Sequence, residues 1–361
     1  MILTNSIKNI FGIDCENFKK MKTIINHNLL QIEKDVENLK DINVFTKAHS
    51  LLVLAEAYPL LQNRAKWEEV IYVYMESIRD DIKLNKVYRF SLFTGLADIA
   101  FSVYAINKTT GYYDKFMNSL NNYLAEGLKN MLTNFPKDNL DTMHYDIISG
   151  VSGIANYMLN FTDNSQSVNE AVHLALDYLN NLCKPIAVEN KLIPGWYTKS
   201  YPSQYHANGM SENFNYGLSH GIAGILVVLS NAFNKKLHTN MSGIKTILQE
   251  FMSTAYLDEN GCHYWGGRVY LEEYLSKNIN YETNKRMSWC YGSPGILRAI
   301  YLGASSIQDE EILNFCEKSM LNLTKLPTEQ FELTTPTICH GYAGLLIILK
   351  SNILKTYHLI C

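Results

Sequence analysis

Two kinds of helical segment alternate along the chain. The first kind is amphipathic. In Glu68-Glu69-Val70-Ile71-Tyr72-Val73-Tyr74-Met75-Glu76-Ser77-Ile78 the apolar residues recur at helical spacing and the charges fall away from them. The same pattern predicts helices over Glu16 to Val36, Lys115 to Asn130, Val168 to Leu182, Ile244 to Met252 and Glu310 to Leu323. Each offers one face to a core and one to solvent. The second kind is largely apolar on all sides, the mark of a buried helix. It follows a small turn, and five copies are readable: Gly95-Leu96-Ala97-Asp98, Gly150-Val151-Ser152-Gly153, Gly221-Ile222-Ala223-Gly224, Gly292-Ser293-Pro294-Gly295 and Gly341-Tyr342-Ala343-Gly344. Ser50 to Ala55 is a degenerate sixth copy without glycines.

Outer amphipathic helix, loop, glycine turn and inner apolar helix thus repeat about six times. Such a series closes into a double ring of helix pairs, an all-α fold of the α/α toroid type. An open solenoid is the other way to stack helix pairs, but it keeps a constant period. Here the intervals from Gly150 to Gly221 and from Gly221 to Gly292 are long. The added length lies at about 185–216 and 259–288, which are poor helices rich in turn formers and aromatics. Pro194 and Pro202 fall in the first, and Gly261-Cys262-His263-Tyr264-Trp265-Gly266-Gly267 in the second. Both read as short strands or functional loops on the rim that carries the glycine turns. No linker or charge block divides residues 1–361, so a single domain is expected.

Composition narrows the function. With 361 residues, 47% of them hydrophobic, the chain can bury a large core. A net charge of -3 leaves no electrostatic footprint for nucleic acid. No run of eighteen apolar residues predicts a membrane-spanning helix, and the start, Met1-Ile2-Leu3-Thr4-Asn5-Ser6-Ile7-Lys8, does not read as a secretory signal. Seven cysteines, at 15, 183, 262, 290, 316, 339 and 361, are too scattered for a disulfide framework. A reducing, cytoplasmic compartment is expected.

The chemistry gathers at the glycine turns. Asp146 precedes the second, Ser219-His220 the third, Trp289-Cys290 the fourth and Cys339-His340 the fifth. Equivalent turns of a ring meet at one end of its cavity, so these residues could share a site. Thiolate and imidazole are preferred zinc ligands, and three protein ligands leave a fourth position for chemistry. Cys290, Cys339 and His340 are the candidate ligands. On a regular helix Cys339 and His340 would point about 100° apart; in a turn, with Gly341 behind them, both can face one ion. His220 is a candidate general acid or base. Asp146 enters a buried helix and needs a partner, for which Arg286 is the candidate. Tyr291 could donate a hydrogen bond beside the metal. Plainer readings stay open at the level of the residues: buried inert cysteines, a structural histidine, a structural Asp146–Arg286 ion pair and a packed Tyr291.

With Gly217-Leu218-Ser219-His220-Gly221-Ile222-Ala223-Gly224, Trp289-Cys290-Tyr291-Gly292-Ser293-Pro294-Gly295 and Cys339-His340-Gly341-Tyr342-Ala343-Gly344 in this order, the chain resembles the lanthionine synthetase C-like family. Within it the likeness is to the stand-alone lantibiotic cyclases, over roughly residues 45 to 350. The resemblance implies an α/α toroid with a catalytic zinc on Cys290, Cys339 and His340. It implies addition of a peptide cysteine thiol to dehydroalanine or dehydrobutyrine, giving a thioether ring. His220 then does the acid–base work, and Asp146, Arg286 and Tyr291 support it. The implied partners are a dehydrated precursor peptide and a complex with a dehydratase and an exporter. A glutathione-binding relative and a non-catalytic assembly subunit are the alternatives. A toroid glycosidase would need an acidic pair, which Asp98 and Asp146 do not obviously form. The family ring has seven helix pairs, and only 20 residues follow Gly341. Either the N-terminal segment closes the ring, or a partner chain does, or the protein is a truncated cyclase.

Overall fold

The structure, a computed structural model, describes residues 15–135, 140–199, 212–281 and 285–353. The start of the chain, Pro202 with most of the loop around it, and Cys361 lie outside the described residues. Contacts divide the chain into two compact units, Met1–Leu124 and Ala125–Cys361.

The first unit contains α1 (Cys15–Asp35), α2 (Val44–Ala57), α3 (Arg64–Lys83), α4 (Leu96–Thr110) and the start of α5 (Asp114–Asn134). Asn43 caps α2, its side chain accepting the Phe45 N–H at 2.9 Å. Gly111, at φ 78°, ends α4 in the left-handed conformation that glycine adopts without strain. Between α2 and α3 the fully buried Lys47 donates to Asp81 at 2.5 Å, and Lys86 reaches the other carboxylate oxygen at 2.6 Å. His49 and Asp98 are 3.1 Å apart between α2 and α4.

The second unit holds the remainder of α5 and then α6 (Val151–Met158), α7 (Gln166–Leu182), α8 (Ile222–Asn234), α9 (Ser242–Thr254), the short α10 (Leu271–Ser276), α11 (Ser293–Ile307), α12 (Glu310–Lys325) and α13 (Tyr342–Ile353). Every residue of α6 is buried, as are most of α8 and α11, and these two pack along each other. Each buried Leu or Ile there contributes about 1.5–3 kcal/mol through the apolar surface it removes from water. The amphipathic α7, α9 and α12 turn their apolar stripes, such as Val168, Val172, Leu176 and Leu179, inward.

The described parts of the long insertions hold short strands, where strands or loops are expected, together with the short helix α10. β1 (Pro185–Val188) and β2 (Lys191–Pro194) make a hairpin. Its two-residue turn, Glu189 and Asn190, has positive φ at both positions, matching the twist of the strands it joins. β3 (Thr198–Lys199), β4 (Glu212–Asn215) and β7 (Arg268–Tyr270) form an antiparallel three-stranded sheet, and β5 (Tyr256–Leu257) pairs with β6 (His263–Tyr264). Phe214 and Asn215 of β4 are fully buried beside the glycine turns.

Candidate metal centre and catalytic cavity

Three of the loops before the apolar helices share one construction. The backbone N–H at the start of a helix bonds the carbonyl seven residues back: Leu96 to Arg89 at 2.8 Å, Ser152 to Tyr145 at 3.2 Å and Tyr342 to Thr335 at 3.0 Å. The chain therefore curls tightly over the glycine that precedes the helix. A Cβ at Gly292 would collide with the Arg286 carbonyl oxygen, and one at Gly341 with that of Thr335.

In the second unit these loops are also joined to one another. The Ile147 N–H bonds the Ser219 carbonyl at 3.1 Å. The N–H groups of Leu218 and Ser219 both bond the Cys290 carbonyl, at 2.8 and 3.2 Å, and the Cys290 N–H bonds the Cys339 carbonyl at 3.3 Å. A run of backbone hydrogen bonds thus brings four loops, far apart in sequence, to one place.

Cys290, Cys339 and His340 meet there, with their ligand atoms all within 4.8 Å of one another. Cys290 Sγ lies 2.9 Å from His340 Nδ1, and Ser288 Oγ lies 3.6 Å from the same sulfur. Burial falls across the group: Cys290 is buried, Cys339 half-buried and His340 exposed. The three could hold a metal ion with one side open. The Cys290 thiol differs from the chain's other buried cysteines. Burial pushes the Cys183 thiol up to about 12 and raises Cys262 and Cys316. Cys290 is instead pulled down to about 6, chiefly by its hydrogen bond with Cys339, against burial and with help from Ser288 and His340. The same bond, with burial, holds Cys339 above its ordinary value. A thiolate at neutral pH is the form that binds metal.

The second constellation is Asp146 with His220. Asp146 is fully buried; its Oδ2 lies 2.5 Å from His220 Nδ1, and its Oδ1 accepts the N–H groups of Ser149 and Gly150 at 2.6 and 2.8 Å. The His220 side chain is 36% exposed, so the ring is held from behind and open in front. This corrects one expectation: the buried carboxylate takes His220 as its partner. Arg286 is exposed and lines a cavity of about 470 Å3 with Ser288, Cys290, Tyr291 and His340. The Tyr291 ring lies 6.2 Å from the His220 ring between centroids. Sequence reasoning missed Asn215, whose Nδ2 donates to the Tyr291 hydroxyl at 3.1 Å. Its one signal was an amide between two aromatics, Phe214 and Tyr216.

A sequence model described as lanthionine synthetase C-like protein matches residues 50–356. The chain belongs to this family. Nisin biosynthesis protein NisC of Lactococcus lactis subsp. lactis is 26% identical over an alignment of 314 residues, and the match covers 82% of this chain and 70% of the relative. A solved structure of nisin cyclase matches with a TM-score of 0.80 and 25% identity, covering 93% of this chain and 83% of that one. The fold is that of an α/α toroid, as the alternation of apolar and amphipathic helices predicts. No helix among the described residues is long and apolar enough to cross a membrane.

Proposed function

We propose that this chain is a zinc-dependent lanthipeptide cyclase, acting on a precursor peptide that a dehydratase has modified and an exporter later receives. The carrying observation is that Cys290 and His340 of the metal-capable triad line one cavity with Tyr291, beside the Asp146–His220 pair. Two thiols and an imidazole suit zinc among the common ions. Tetrahedral bonds of about 2.0–2.3 Å would put the ligand atoms roughly 3.3–3.8 Å apart, inside the spread found here. A zinc ion held by Cys290, Cys339 and His340 would lower the pKa of a ligating substrate thiol, favouring thiolate at neutral pH.

The chain's own residues carry the protons. Asp146 accepts the Nδ1–H of His220, which leaves Nε2 for the substrate. Nε2 takes the proton of the peptide thiol, and the buried carboxylate stabilises the imidazolium. The sulfur then bonds to the β-carbon of the dehydro residue, and the electron pair of the double bond moves toward the neighbouring carbonyl oxygen. His220 returns its proton to the α-carbon. The net change is S–H added across C=C. Arg286 and Tyr291, on the cavity wall, orient the peptide carbonyl and offset its developing charge.

Metal analysis of the purified protein, with assay of a dehydrated precursor, tests this reading. We expect about one zinc per chain, lost in Cys290→Ala, consistent with three ligands and one ion. We expect the precursor's cysteines to resist alkylation after the wild type and to stay reactive after Cys290→Ala or His340→Ala. Unchanged ring formation in either variant would refute it.

A further inference from the structure

β7 is an edge strand. The sheet runs β3-β4-β7, so β4 covers one side of β7, and no strand among the described residues covers the other. The register decides which main-chain groups face that open side. Asn215 stands opposite Arg268, Phe214 opposite Val269 and Asn213 opposite Tyr270, and the Tyr216 N–H bonds the Gly267 carbonyl at 3.1 Å. Along an antiparallel pair, residues alternate between bonding the neighbouring strand and turning away from it. Gly267 and Val269 therefore bond β4, and the N–H and C=O of Arg268 and Tyr270 point to the open side.

The open side faces the cavity. The Tyr270 N–H, an outward group of this edge, donates to Glu273 Oε2 at 2.9 Å, and Glu273 Oε1 accepts the Asn280 N–H at 3.3 Å. Glu273 and Asn280 line the cavity of about 470 Å3 together with Gly267 and Arg268, on the wall across from Cys290 and His340. Gly267 has no side chain, so main chain forms the wall there. A bare edge invites pairing, and proteins usually cover it. Here Glu273 covers the edge at Tyr270, whereas Arg268 is exposed, and among the described residues its N–H and C=O meet no partner.

We infer that the Arg268 main chain is a docking edge for the substrate peptide, whose extended backbone adds to β7 as a short strand and enters the cavity from it. The inference rests on the cyclase reading for the identity of that peptide. One edge residue with an open N–H and C=O matches the C=O and N–H of one peptide residue lying about 4.8 Å away. Two such bonds set the direction and register of the peptide without reading its side chains. Anchoring thus falls to the insertion, and the reacting side chains are left to the loops that carry the triad and His220. Because Glu273 already holds the Tyr270 N–H, the pairing cannot lengthen in that direction, which keeps it weak enough for product to leave.

Proline removes an N–H and is tolerated on an edge strand where that N–H does not bond the sheet. Arg268→Pro and Arg268→Ala both lose the guanidinium, but only the first loses the N–H. The probe is a short synthetic peptide with a dehydroalanine and with serine in place of cysteine, which binds without closing a ring. We expect its Kd to be roughly five- to tenfold higher for Arg268→Pro than for Arg268→Ala, the scale of one net hydrogen bond, with equal zinc content in the two. Equal affinities would overturn the inference. Amide exchange followed by NMR gives a second readout in the unaltered protein. The Arg268 amide should exchange fast in the free protein and slow down when the peptide is added, while that of Val269, bonded to β4, stays slow throughout. An Arg268 amide that the peptide leaves unprotected overturns the inference, even where Arg268→Pro fails to fold. Protection in a protein that closes no rings keeps the docking edge and sinks the cyclase reading; ring formation with an unprotected Arg268 amide does the reverse.

Discussion

Asp146 is the residue on which the candidate acid–base group depends. Its Oδ1 is held by two backbone N–H groups, so only Oδ2 is left to define the histidine tautomer. Asp146→Asn keeps the shape but can set an amide N–H against Nδ1. The ring proton then moves to Nε2, and the imidazole can no longer accept the thiol proton. We expect cyclisation to slow by about 10²–10⁴-fold, the range general acid–base groups supply, while zinc content and thermal midpoint hold. Loss of zinc together with activity would make the residue structural. At this scale the sequence is half legible. Cys290, Cys339, His340 and His220 stand out because they occupy turn positions that packing alone would fill with small residues. Their pairing does not stand out. Arg286 is the partner that the sequence suggests for Asp146, but the Ile147-to-Ser219 backbone bond delivers His220 to the carboxylate. Asn215 was hidden by an insertion crowded with polar residues.

Among the elements, α2 and α3 carry an independent test of how the first unit is held. Lys47 is fully buried and has Asp81 and Ser77 as its partners, at 2.5 and 2.8 Å. Burial alone would raise the Asp81 carboxyl, but its hydrogen bonds to Lys47 and Lys86 outweigh that and hold it below its ordinary value. A carboxyl with a lowered folded-state pKa stabilises the fold above its unfolded pKa, and the benefit disappears as pH falls through the folded value. Asp81→Ala would strand the Lys47 ammonium with one hydroxyl. We expect it to cost about 3 kcal/mol at neutral pH, the low end for breaking a buried pair because Ser77 remains. Urea unfolding at a series of pH values checks this. The gap between wild type and variant should begin to narrow below about pH 4, where the carboxyl of the unfolded chain takes up protons, and close as pH falls through the lower folded value. A gap that stays constant into acid would mean that the loss comes from packing rather than from the charge pair.

For the molecule as a whole, the helices were readable and the joints between them were not. Apolar and amphipathic periods differ strongly, so the long helices announce themselves in the sequence, with ends within two residues of those observed for α1, α7, α9 and α12 and up to five residues short for α3 and α5. Backbone hydrogen bonds between loops leave no trace in side-chain pattern, yet they create the site. They also make the triad a clamp. Cys290 lies before α11, whereas Cys339 and His340 lie before α13, whose Tyr342 and Leu346 are exposed at 39% and 64%. Among the described residues two backbone bonds link those segments, from Met287 to Phe331 at 3.0 Å and from Cys290 to Cys339 at 3.3 Å, and a shared ion would add to them. Ligand binding to the folded state adds about 2.7 kcal/mol when free zinc is a hundredfold above its dissociation constant. For a protein of 361 residues that corresponds to a fall of roughly 3–4 °C in Tm on stripping the ion with a chelator. Hydrogen exchange should locate the change. Amides of 335–353 should lose protection on chelation well before those of α8, which is buried on nearly every side and depends on no ligand. Equal loss in α8 and α13 would show that the ion supports the whole core; no loss in either would show that the triad holds no structural ion.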